Sequence, residues 1–324
     1  MRNILYTLPL LFLLMGLFNS AYAYDGQSNI NFKIDAGNDD KYFVDFSVDF
    51  SAPESLPKNI TPGKFTVFIW PGLQPDGPAR KCYYPINNGV LQPVLTYGNS
   101  CAPKKPMDVE QWWISGQYVN TDLDCKHVPN QFASVCDDYF QCHGGEFLTV
   151  MPGQEIETNM TYKPSDDTWM QTINSDGQSR TYSIALDYCS ENSEPPTPVT
   201  MEPQSQTNAI LSIETDGYNT PLLQTFENIK LKINVGDDTA ATCNNILTMD
   251  TTVPSSYCSP LNMISNTDGI LTCQVDSCTI CKPTALNSNC PVLVPTLSEW
   301  SLIAMATVLG IVGLIVIRRR RAAA

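Results

Sequence analysis

Tyr42, Val44, Phe46, Val48 and Phe50 alternate with Phe43, Asp45, Ser47 and Asp49. A period of two is that of a strand with one buried face. Ile156, Thr158, Met160 and Tyr162 repeat the pattern against Glu155, Glu157, Asn159 and Thr161, and Tyr182, Ile184, Leu186 and Tyr188 do so again. In a fourth run, Ile229, Leu231, Ile233 and Val235 carry Lys230 and Lys232 on the wet side. Further strand-like runs cover 64–70, 90–97, 111–119, 146–151, 168–174 and 209–215. Turn chemistry separates them at Pro71-Gly72, Asp76-Gly77, Asn88-Gly89, Pro152-Gly153, Ser175-Asp176-Gly177 and Asp216-Gly217. No amphipathic helix longer than two turns is expected before the C-terminal apolar run. Many short antiparallel strands at this spacing predict an all-β fold, an antiparallel β-sandwich or jelly roll over residues 24–236. The proline-rich stretch 193–206 reads as a loop inside that sandwich, because strands of the same alternation follow it.

From Asp237 the alternation fades and cysteines become dense, so residues 237–293 are expected as a small disulfide-held stalk. An uncharged apolar run from Leu302 to Ile317 then ends in Arg318, Arg319, Arg320 and Arg321. Extended by Trp300 and the arginine stems, it can just span a hydrocarbon core, which predicts one C-terminal transmembrane helix. Its basic end should stay cytoplasmic, leaving everything before Trp300 outside. At the other end, Arg2, the apolar stretch from Ile4 to Phe18 and Ala21-Tyr22-Ala23 read as a secretory signal peptide over residues 1–23.

Charge narrows the partners. Of 19 basic residues, Arg2 and the four terminal arginines lie outside residues 24–300, which therefore hold 14 basic and 33 acidic residues, a balance of −19. Such a field repels nucleic acid and anionic lipid. Twelve cysteines fall into two even sets: Cys82, Cys101, Cys125, Cys136, Cys142 and Cys189, then Cys243, Cys258, Cys273, Cys278, Cys281 and Cys290. In an exported chain they should form disulfides, and six per set leave fifteen pairings open. The spacing Cys273-x4-Cys278-x2-Cys281 also fits zinc, but an oxidising compartment favours bridges.

Val294-Pro295-Thr296-Leu297-Ser298-Glu299-Trp300, the apolar run and the arginines stand in the order of a bacterial sorting signal. The segment resembles the IPTL-CTERM class, of pattern Ile-Pro-Thr-Leu-x-x-Trp-Gly; Val294 replaces the Ile and Ser301 the Gly. The resemblance implies processing by an exosortase-type transpeptidase, transient anchorage in the inner membrane, and a final place in the cell envelope or on the outer surface. A GPI signal would end apolar rather than in arginines. No Leu-Pro-x-Thr-Gly of a Gram-positive sortase site occurs.

A second resemblance runs through residues 64–235. Phe68-Ile69-Trp70-Pro71-Gly72, Gly89 to Leu95, Trp112-Trp113-Ile114-Ser115, Met151 to Ile156 and Asn208 to Glu214 occur in that order. This is similar to the concanavalin-like jelly roll of the glutamic peptidase (eqolisin) group. The resemblance implies a catalytic amide at Gln92 and an acid on the late strand. There Glu214 matches the second acid of the family pattern, while Ile210 occupies the first. Such chemistry needs a carboxylate to activate water and an amide to hold the oxyanion, so both side chains must share one cleft.

Aromatic residues offer a different use of the same fold. Trp70, Trp112, Trp113 and Tyr118 lie on or beside strands, where rings can stack on a glycan or peptide ligand. Adjacent Trp112 and Trp113 must point to opposite faces. The acidic loop Asp35-Ala36-Gly37-Asn38-Asp39-Asp40 carries hard oxygen ligands of the kind calcium takes, without EF-hand spacing; no metal ligand is assigned. The only histidines, His127 and His143, lie in cysteine-dense loops and do not make a triad. The expected work is binding or envelope structure at the cell surface, with a hydrolase using Gln92 and Glu214 as the alternative.

Overall fold

The computed structural model describes residues 26–35, 37–38, 40–54, 65–74, 90–119, 142–166, 168–185, 187–189, 198–200, 206–216, 222–253 and 256–282. The expected signal peptide, sorting signal and transmembrane run lie outside these residues, as do Cys82, Cys125, Cys136, Cys290, His127 and the Asp76-Gly77 and Asn88-Gly89 pairs. Among the described residues no helix is long and apolar enough to cross a membrane.

In chain order the strands are β1 (Gly26–Ile34), β2 (Tyr42–Ser51), β3 (Thr66–Gln74), β4 (Val90–Tyr97), β5 (Trp112–Val119), β6 (Cys142–Gly144), β7 (Leu148–Val150), β8 (Glu155–Lys163), β9 (Thr168–Ser175) and β10 (Gln178–Ala185). They continue with β11 (Asp187–Cys189), β12 (Pro198–Thr200), β13 (Asn208–Asp216), β14 (Leu222–Asn234), β15 (Leu247–Thr251), β16 (Tyr257–Cys258), β17 (Asn262–Thr267) and β18 (Ile270–Lys282). The one described helix, α1 (Cys243–Ile246), is a single turn. Two eight-stranded antiparallel sheets form a sandwich. The first runs β15-β1-β13-β3-β4-β5-β6, with β7 also on β5; the second runs β10-β9-β8-β2-β14-β18-β16, with β17 also on β18. β11 and β12 pair separately.

Local chemistry explains the tight turns. Asp176 and Gly177 both have positive φ, at 49° and 69°, and join β9 to β10 with Gln178 opposite Ser175. That two-residue connection with both φ positive is the hairpin turn whose twist suits antiparallel strands. Asp268 and Gly269 repeat it between β17 and β18.

Between the sheets lies a core in which Phe32, Phe43, Phe46, Trp169 and Phe226 are fully buried. One polar group bridges it. Gln171 of β9 donates through Nε2 to the Gln117 carbonyl (2.6 Å) and accepts from the Gln117 N–H (3.2 Å), so a buried amide is satisfied across the sandwich.

Three expectations change. First, Tyr42 and Val44 are only half-buried, while Phe43 is fully buried. The β14 register skips Val44, pairing Lys232 with Asp45 and Ile233 with Phe43, and this bulge re-aims the side chains before it. Second, Pro71-Gly72 is no turn: β3 continues through it to Gln74. Third, the residues expected as a stalk from 237 belong to the sandwich as far as Lys282. β15 pairs with β1, and β18 pairs with β14 along its whole length.

Disulfides lock that last part. Cys243 of α1 is bonded to Cys273 of β18, and Cys258 of β16 to its cross-strand neighbour Cys278. Cys281 is disulfide-bonded as well. In the earlier set Cys101 is bonded to Cys142. Each of these three described bridges stays within its own set.

Candidate functional site

β4 and β13 are buried along nearly their whole length, as strands covered on both faces are. On β4, Leu91 and Leu95 enter the core while Val90 and Val94 point away from the second sheet. On β13, Leu211 and Ile213 point inward and Ile210 outward. Trp70, Val90, Val94 and Ile210 pack into a second apolar cluster with Phe68 against it. This outer face holds a cleft of about 710 Å³, whose lining includes Phe68, Trp70, Gln92, Val94, Gln117, Glu214 and Asp216.

The strand ladder fixes where each group stands. Ile210 is opposite Gly72, and Glu214 is opposite Phe68. The β3–β4 ladder breaks after Ile69↔Leu95 and resumes at Leu73↔Leu91 in the same register, since Pro71 has no N–H to donate. Gly72 therefore stands level with Gln92 on one side and Ile210 on the other. A Cβ at Gly72 would lie 2.7 Å from Val90 Cγ1 and 2.9 Å from the Trp70 ring, so glycine is what lets that ring fold over the sheet.

Gln92 and Glu214 thus share one cleft, but at different ends. They are four residues apart along the strands and two strands apart across them, which standard sheet spacings convert to roughly 17 Å between Cα atoms. Both side chains stand out from the same face, so they cannot close together on a single carbonyl. The residue level with Gln92 is Ile210, whose side chain is 2 % exposed and apolar. Gln92 is itself 8 % exposed, and its Oε1 has no hydrogen-bond partner among the described residues. Gln117, directly opposite Gln92 on β5, donates through Nε2 to Ser115 Oγ at 3.0 Å.

At the other end, burial pushes the Glu214 carboxyl above the usual carboxylate range. The Trp70 indole N–H donating to it and the nearby Lys282 charge pull the other way, while Asp216 adds to the rise. A raised acid pKa means the folded chain holds this proton more tightly than the unfolded one. Stability tied to Glu214 is therefore full below the ordinary glutamate value of 4.5 and is lost as pH rises through the higher folded value. Glu214→Gln should raise the urea midpoint at neutral pH, with the gain closing in acid. A gain independent of pH would show that the carboxyl ionises freely in the folded protein.

The remaining expected site residues are dispersed. Trp112 and Tyr118 lie in the inter-sheet core. Trp113 points to the other face, as adjacency requires, yet it is 0 % exposed and packs edge-on to Phe147. Of the four aromatic residues expected at a ligand, Trp70 is the one that lines the cleft. In the acidic loop, Asp35 accepts from Thr248 Oγ1 (2.6 Å) and Asp40 pairs with Lys41 (3.4 Å). Among the described residues no three His, Cys, Asp or Glu side chains converge as a metal site. His143 is on β6 beside the Tyr118 ring, and burial lowers its pKa.

Phe68, Gln117 and Asp216 join the site without having been expected there. Asp216 was within reach of sequence, since the two-residue period puts it on the face of Glu214. Gln117 was not, because only the β4–β5 register brings it opposite Gln92.

No curated protein matches the chain in sequence. Among solved structures it is similar to a scytalido-glutamic peptidase with a transition state analogue inhibitor, at a TM-score of 0.36 and 12 % identity, over 78 % of this chain and 98 % of that one. It is also similar to basic winged bean lectin with Tn-antigen, at a TM-score of 0.25 and 9 % identity, over 81 % and 78 %. Both relatives have jelly-roll-like β-sandwich folds. Likeness at that level says nothing of what this chain binds or does. Residues 294–321 match the IPTL-CTERM motif, which implies export to the cell surface and processing at the membrane by an exosortase-type enzyme.

Proposed function

We propose that this chain is an exported bacterial surface protein whose sandwich binds an extended ligand in the outer cleft of its first sheet. The signal peptide at 1–23 starts export. The apolar run from Leu302 to Ile317 holds the chain transiently in the inner membrane, and an exosortase-type transpeptidase processes it at Val294 to Trp300. One observation carries the binding role: a cleft of about 710 Å³ combines the Trp70 and Phe68 rings with the buried Gln92 and Gln117 amides and the Glu214 and Asp216 carboxyl groups. Ligand sites are generally concave, apolar and set with a few polar groups.

Binding is favoured over hydrolysis because the site level with Gln92 is Ile210, an apolar residue, and Glu214 stands roughly 17 Å away. On a glycan and peptide array, Trp70→Ala should lose about tenfold in affinity for whatever the parent protein binds, the scale of one buried aromatic contact. Equal signals from parent and variant would remove the cleft from the account. Acid proteolysis lost in Glu214→Gln would favour the glutamic-peptidase-like alternative instead. Sorting has its own test. The surface form should lack Arg321 in its mass spectrum, and an intact C-terminus on that form would exclude cleavage.

A further inference from the structure

We infer that the cleft selects a cationic peptide strand, with a lysine or arginine side chain or an amino terminus seated at the Phe68–Trp70–Glu214–Asp216 end and a backbone N–H donated to Gln92 Oε1 at the other. The inference rests on the cleft being a binding site and names what it binds.

The two ends ask for different chemistry. At one end two aromatic side chains and two carboxyl groups line the same wall. Trp70 already donates its indole N–H to Glu214, which orients the acid and leaves the ring beside it. Rings flanked by carboxylates suit a positively charged nitrogen, through charge pairing and cation–π attraction together. A neutral sugar hydroxyl gains neither. Lys282 offsets part of this acid charge from within the fold, held by its contact with Thr215.

At the other end Gln92 is 8 % exposed and lines the cleft, with Oε1 unpartnered among the described residues. A buried carbonyl oxygen without a donor costs free energy, and an incoming N–H recovers it. The wall between the ends is apolar, built by Val94 beside the Trp70 ring. No descriptor of the ligand other than an acceptor-seeking donor, an apolar middle and a cation is needed.

Length adds a further constraint. The separation of roughly 17 Å between the two ends corresponds to about five residues of extended chain. A negative balance of −19 over residues 24–300 attracts a basic strand before contact and repels an acidic one.

The test uses three fluorescein-labelled pentapeptides differing at one terminal residue: lysine, Nε-acetyl-lysine or glutamate. Fluorescence anisotropy with the exported protein should show the lysine peptide binding about tenfold more tightly than the acetylated one, and the glutamate peptide more weakly still. The Glu214→Gln/Asp216→Asn variant should erase the lysine preference while keeping the affinity for the acetylated peptide. Gln92→Leu should weaken all three by a similar factor. Equal binding of lysine and acetyl-lysine peptides overturns the cation-selective end and leaves the cleft as a ligand site. Binding of arrayed glycans with no response to any peptide overturns the peptide assignment. If neither glycans nor peptides bind, the cleft loses both readings.

Discussion

Trp169→Ala should lower the free energy of unfolding by about 3–5 kcal/mol, on the order of 10 °C in melting temperature. Trp169 is fully buried in the inter-sheet core and packs against Tyr162 at 5.6 Å between ring centroids. It comes from β9 of the second sheet, whereas the cleft lies on the outer face of the first. The loss should therefore appear in stability and leave ligand affinity intact at temperatures where the variant is folded. A companion substitution separates packing from polarity. The indole N–H of Trp169 finds no acceptor among the described residues, so Trp169→Phe removes volume but no hydrogen bond. It should cost only about 1–2 kcal/mol. Urea unfolding of the two variants checks this, and equal losses would mean that the indole N–H matters more than the ring.

Replacing Cys243 and Cys273 together by serine should cost about 3–4 kcal/mol, the chain-entropy value for a loop of this size. The two are 30 residues apart, and their bridge fastens α1 onto β18. Cys243 and Cys273 are both buried in the core, so serine adds the cost of an unsatisfied hydroxyl. The change should be read from unfolding of the oxidised parent against the double variant, because a single serine would leave a reactive thiol. The Cys258–Cys278 pair, 20 residues apart, should matter slightly less on the same basis. A double variant as stable as the parent would mean that the strand pairing of β18 with β14 already holds this segment.

That second result bears on why residues 237–282 looked like a stalk. Leu271, Cys273 and Val275 point inward, followed by Cys278 and Ile280, so β18 alternates in two runs with a one-residue shift between Val275 and Cys278. Read as apolar, its cysteines complete the period; read as crosslinkers, they hide it. The bridges and the sheet use the same side chains, and pattern alone does not say which role comes first. β2 illustrates a different loss. Its alternation announces a strand correctly, yet a bulge at Val44 exchanges Tyr42 for Phe43 on the buried face. A bulge depends on the partner strand, which local sequence does not name. Pro71-Gly72 misleads for a related reason: it has turn composition, but β13 pairs with it directly and the β4 ladder resumes just beyond it at Leu73.

For the site, sequence identified Gln92, Glu214 and Trp70, which all line the cleft. Their spacing was out of its reach. Residues 70, 92 and 214 are brought together by two antiparallel ladders among three strands, and registers of that kind are set by packing across the whole sheet.

From sequence alone came the period-two strands, the all-β class, the acidic exported middle and the C-terminal sorting motif. Each of these is written in neighbouring residues or in composition. Tertiary structure decided which strands pair, that Cys243, Cys258, Cys273, Cys278 and Cys281 belong to the sandwich, and that Ile210 rather than Glu214 stands level with Gln92. Those outcomes depend on non-local hydrogen bonding and burial, and such contacts are made between residues that the chain keeps far apart.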